Sequence, residues 1–155
     1  MKKPLKIAAA IGIMVPIALV SLLYFTHTKS IPISKEKIVQ EFQGNYNVFM
    51  NIVRFAQATQ GNLYVANDDR KLIIRGDQGH LSNGNQAAYH DLQFVMYSLK
   101  FVGIYENPDN VMFRKEGGGY DQGIIYVKTG KPLPKVLRHT ELITDRWYYY
   151  WTTHE

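Results

Sequence analysis

Histidine, carboxylate and hydroxyl groups are the side chains of this chain that could move protons, bind metal or attack a substrate, because it contains no cysteine. The missing thiols exclude disulfides, thiolate catalysis and cysteine-ligated zinc or iron–sulfur centres. Of the five histidines, His27 precedes the folded region and His154 is next to the last residue, which leaves His80, His90 and His139. Asp77, His80, His90 and Asp91 offer nitrogen and oxygen donors close together, but neither H-x-x-x-H nor H-E-x-x-H spacing occurs. Solvated loop and helix-surface positions account for them, so we expect no metal site and no cofactor. His139 and Glu141, with Asp145 nearby, would supply an acid and a base from a loop before the last strand. Adjacent residues on a regular element point in different directions, and a local charge cluster explains the same residues.

Nucleophiles are scarce. Ser34, Ser82 and Ser98 are the serines after residue 30, and none lies in G-x-S-x-G or S-x-x-K. Residues 117–123 (GGGYDQG) resemble a phosphate cradle only superficially: no Lys-Ser/Thr pair follows and they open a strand rather than a helix. A hairpin tip with backbone at positive φ is the simpler reading. The expectation is that no catalytic residue set is present.

The strongest local anomaly is residues 147–151, WYYYW. In a strand, Trp147, Tyr149 and Trp151 share one face, and Tyr148 and Tyr150 share the other. One set would pack into a core while the other spreads over the sheet surface. Tyr148 and Tyr150, joined by Tyr120, Tyr126 or Tyr105, form the candidate binding surface, since aromatics with a polar tip suit protein interfaces, sugar faces and lipid headgroups.

The elements that must position these residues are read from periodicity. Ser34 caps a helix starting near Lys35, and Ile38, Phe42, Tyr46, Phe49, Val53 and Ala56 recur every three or four residues toward Gly61. Gly44 weakens its middle and marks a bend. Strands over 63–66 and 72–75 flank a hairpin loop at 67–70, and 76–85 read as an exposed loop. A second helix covers 86–101. Strands follow at 102–106, 111–115, 124–128 and 147–152, with Pro108 opening a type I turn and 130–134 crossing irregularly. Two helices on an antiparallel sheet of about five to six strands make an α+β fold.

Where the domain works is set by residues 7–25 (IAAAIGIMVPIALVSLLYF), an uncharged run after Lys2, Lys3 and Lys6. At ~1.5 Å per residue a helix of that length approaches the ~30 Å hydrocarbon core of a bilayer. No Ala-x-Ala site follows the run, which favours a retained anchor over a cleaved signal peptide; secretion after cleavage is the alternative. The expected organisation is a basic cytoplasmic tail over 1–6, a transmembrane anchor over 7–25, a tether over 26–33 and an extracytoplasmic domain over 34–155. The short lysine-rich tail stays inside and the domain lies outside. The chain carries a formal charge of +5. Four lysines and no acid fall within residues 1–30, so the remainder has a net charge of only +1, and no basic face suited to nucleic acid is evident.

The segments 102–105 (VGIY), 111–113 (VMF), 123–126 (GIIY) and 146–150 (RWYYY) resemble small single-pass bacterial envelope proteins of no assigned function. The resemblance covers the last third of the chain and implies a bacterial inner-membrane protein, without bringing any catalytic residue. The expected function is a non-enzymatic domain that binds another envelope component, with a protein as partner. The alternatives are a cell-surface hydrolase using His139, Glu141 and Asp145, or an immunity or assembly accessory protein.

Overall fold

The computed structural model describes residues 33–59, 62–68, 71–75, 86–117, 120–135, 137 and 139–153. Residues 7–25 lie outside this set, as do Asp77 and His80. Among the described residues no helix is long and apolar enough to cross a membrane.

Helix α1 (Lys35–Gly44) begins at Ser34, whose Oγ accepts the Lys37 N–H at 3.3 Å, with Glu36 favourably placed in the first turn. It does not run on to Gly61. At Asn45 the backbone leaves the helical region (φ −127°, ψ 26°), and α2 (Tyr46–Ala58) starts afresh. Gly44 lowers the helix propensity here, and the Asn45 side-chain amide donates to the Glu41 carbonyl at 2.8 Å, competing with the helical ladder. The single predicted helix is therefore two. The third, α3 (Gln86–Gln93), passes into a π-helical turn at Phe94–Ser98. Leu92, Val95 and Met96 are buried along this segment, a spacing an ordinary helix would also give.

Seven antiparallel strands follow the order β2-β1-β3-β4-β5-β7-β6: β1 Tyr64–Asp68, β2 Lys71–Arg75, β3 Gly103–Glu106, β4 Asn110–Gly117, β5 Tyr120–Val127, β6 His139–Thr144 and β7 Trp147–Thr153. Three helices packed on this sheet make the α+β fold, with one helix and at least one strand more than the periodicity suggested. The β4–β5 hairpin is longer than predicted, its ladder reaching the Gly117↔Tyr120 pair, so 120–122 belong to a strand rather than to a glycine tip. Between β3 and β4, the Asn107 side-chain oxygen accepts the Asp109 and Asn110 N–H groups at 2.9 and 3.0 Å, closing the predicted turn.

Strand β6 is the element that periodicity missed. Among the described residues it is held by one neighbour only, β7, and every residue except Ile143 is exposed, so its sequence HTELIT carries no alternation between buried and solvated positions. Strands β5 and β6 both pair antiparallel to β7 and therefore run parallel to each other.

Trp147 is the centre of the helix-facing layer. Its ring lies 4.7 Å from Phe42, 5.1 Å from Tyr126 and 5.8 Å from Phe113, while Phe49 contacts Phe113 at 4.9 Å. Edge-to-face and tilted aromatic pairs add about 0.5–1.5 kcal/mol each beyond area burial. Two ion pairs fix the periphery of this core. Lys115, only 2% exposed, reaches from β4 to Glu41 on α1 and lies 4.8 Å over the Phe101 ring. Lys128 pairs with buried Glu106 at 2.5 Å, and the second Glu106 oxygen accepts the Leu63 N–H at 3.2 Å.

Candidate functional site at the free sheet edge

The β6–β7 ribbon brings exposed apolar and polar groups together. Its register pairs Leu142 with Tyr148, Thr140 with Tyr150 and His139 with Trp151, with a bulge between Leu142 and Thr144. Leu142 is 58% exposed and Tyr148 half-buried, so this pair presents apolar surface to solvent. Because β6 has no outer neighbour among the described strands, its outward N–H and C=O groups are placed where another strand could pair with them.

On the helix side of the same ribbon, α1 and β6 enclose a groove of about 380 Å³ lined by Val39, Gln40, Gln43, Ile143 and Tyr149. Lys35 and Glu141, 2.5 Å apart, form an ion pair at this groove. Both are exposed, so the pair adds little stability, but it places one charge of each sign beside the apolar lining. At the groove floor the Tyr149 hydroxyl donates to Gln122 Oε1 at 3.0 Å. Burial, then the charge of Glu36, pushes the Tyr149 phenol above its ordinary value, so it stays a neutral donor.

The predicted aromatic surface divides. Tyr126 is buried in the helix-facing core against Trp147, with the Arg146 guanidinium 5.0 Å over its ring. Tyr150 is 1% exposed on the opposite face. Neither offers its ring to a partner, which corrects the expectation that both belong to an exposed set. The physical reason for Tyr150 is its neighbour across the ladder: Gly123 has no side chain, and a β-carbon there would come within 3.2 Å of the Tyr150 ring. Tyr148 remains accessible. Tyr120 lies at the far end of β5, its ring 6.4 Å from Trp151.

The groups considered for acid–base work do not converge. His139 stacks flat on Trp151, ring centroids 4.0 Å apart, and Glu141 turns to Lys35. Asp145 sits in the β6–β7 turn at φ 44°, beside Arg146 at 3.4 Å. Among the described residues no cluster of three or more histidines and carboxylates could hold a metal ion.

Sequence reasoning also missed a polar cluster on the face away from the helices. Arg114 donates to Asp121 at 2.8 Å and to the Tyr105 hydroxyl at 3.3 Å, while Tyr105 packs on Tyr64 at 5.1 Å. The register places Gly103 and Gly123 on either side of Arg114, leaving room for Tyr105 and Tyr150 to lean over the gaps. The flanking glycines were the available signal. Comparison with protein-family models, curated proteins and solved structures gives no match to this chain.

Proposed function

We propose that the chain is a membrane-tethered extracytoplasmic domain that binds another protein of the cell envelope through its β6–β7 ribbon. The observation carrying the binding reading is the Leu142–Tyr148 pair on a strand with no outer neighbour among the described residues. Edge strands pair readily with an added strand, main-chain hydrogen bonds giving affinity and alternate side chains giving specificity. The uncharged run at 7–25 supports the tether, and the sequence resemblance to bacterial single-pass envelope proteins agrees with it.

The test is a photo-crosslinking residue at Leu142 in intact cells, compared with the same residue at Arg54 on α2. The account expects a discrete adduct from position 142 that is lost on adding Tyr148→Ala, and none from position 54. Equal labelling at both positions, or none at 142, would count against the ribbon as the binding surface.

A further inference from the structure

The groove between α1 and β6 has the length of a short strand site. Its helix wall runs from Lys35 to Gln43, ~12 Å at the helical rise, which about four residues of extended chain also cover. On the other wall the regular part of β6 has the same reach, from His139 to Leu142, because the bulge follows Leu142. The volume of about 380 Å³ falls within the ~300–1,000 Å³ of ligand clefts. Val39 and Ile143 give it an apolar lining, and the Gln40 and Gln43 amides stand about one helical turn apart.

Its polar groups are unequally matched. Lys35 pairs with Glu141 at 2.5 Å, whereas Glu36 has no ion pair and Gln40 and Gln43 no hydrogen bond among the described residues. The Glu36 charge is felt at the groove floor, where it follows burial in raising the Tyr149 phenol. Lys35, Glu36 and Glu141 together leave the groove with an excess of negative charge.

We infer that the groove receives a short extended segment of the partner, with one apolar and one basic side chain directed inward. The inference rests on the ribbon reading above and names the chemistry of what the ribbon binds. The segment's backbone pairs with the outer edge of β6, and alternate side chains share a face, so about two of every four enter the groove. Val39 and Ile143 accept an aliphatic side chain, and Glu36 accepts a lysine or arginine. The Gln40 and Gln43 amides, each with donors and an acceptor, supply hydrogen bonds from above. An acidic side chain would meet two carboxylates and one ammonium, which selects against it.

The experiment titrates the full chain, in detergent micelles, with fluorescein-labelled heptapeptides in which threonine alternates with residues drawn from valine, lysine and glutamate. Peptides combining valine and lysine should bind at least about tenfold more tightly than the same peptides with glutamate for lysine. Glu36→Gln should reduce that preference and Glu36→Lys reverse it, with thermal melts confirming that both variants fold. A wild-type chain without the preference, or a preference unchanged in Glu36→Gln, would overturn the inference. Dimers in sedimentation that Val39→Arg dissociates would overturn it too, by assigning the groove to a second copy of the chain. If no peptide binds while the adduct at position 142 persists, the groove inference falls and the ribbon reading stands. Absence of both would overturn both.

Discussion

Leu142 stands directly across the β6–β7 ladder from Tyr148 and is 58% exposed, while Trp147, the residue before Tyr148, is completely buried. Neighbouring positions of one strand thus answer to different constraints, the ribbon surface and the core. Leu142→Lys should change unfolding free energy by no more than about 0.5 kcal/mol, as exposed substitutions usually do. Trp147→Ala should cost about 3–5 kcal/mol through lost burial and an unfilled cavity. Urea unfolding of the two variants measures both.

The Lys115–Glu41 pair joins β4 to α1, with Lys115 the more deeply buried partner. Glu41→Gln leaves that ammonium without its carboxylate and should cost about 2–4 kcal/mol, whereas Lys115→Met should stay within about 1 kcal/mol of the wild type or gain stability. Burial pushes the Lys115 ammonium below its ordinary value and Glu41 only partly offsets this. Between that lowered folded value and about 10.4, the unfolded chain binds a proton that the folded chain gives up, so this group makes stability rise with pH. The rise should extend to lower pH in Glu41→Gln and vanish in Lys115→Met. Denaturant titrations across that range test the sign.

Tyr150 behaves oppositely. Its hydroxyl is buried with no hydrogen-bond partner among the described residues, and burial followed by the Asp121 charge raises its pKa well above the ordinary value. The contribution is fully present below the unfolded pKa of about 10 and is lost as pH rises beyond it, because the unfolded chain releases the proton first. Tyr150→Phe should remove this alkaline loss. It should also be neutral or stabilising at pH 7, since an unsatisfied buried polar group costs about 1–3 kcal/mol. Thermal melts at pH 7 and pH 11 distinguish the outcomes.

Gly123 passes close enough to β4 that an added β-carbon would collide with the Phe113 carbonyl oxygen, which is backbone and cannot swing aside. Gly123→Ala should therefore force β4 and β5 apart and destabilise the domain by more than about 2 kcal/mol. Gly44→Ala provides the contrast, because no described residue lies within 4 Å of its added methyl. At that helical position it should be neutral or gain up to about 1 kcal/mol. Parallel unfolding curves check the pair.

Periodicity made the core legible because Phe42, Phe49, Val53 and Trp147 recur at helix or strand spacing and are all buried. It could not reveal β6, where an edge position leaves nearly every side chain in solvent, nor the break at Asn45, which depends on a side chain capping the Glu41 carbonyl. The aromatic run correctly implied two different faces. Which tyrosines would be buried was not legible, because Tyr150 is covered through its relation to Gly123, a residue distant in sequence and adjacent only across the β5–β7 ladder. The ribbon site arises likewise from non-local pairing: Glu141 meets Lys35 only after β6 docks beside α1.

In the function proposed above, this domain works while held to a membrane by residues 7–25. The most direct measurement is the intact mass of the mature protein recovered from membranes after alkaline extraction. The account predicts a membrane-retained chain that still contains those residues. A soluble chain beginning after Thr28 or Ser30 would contradict it.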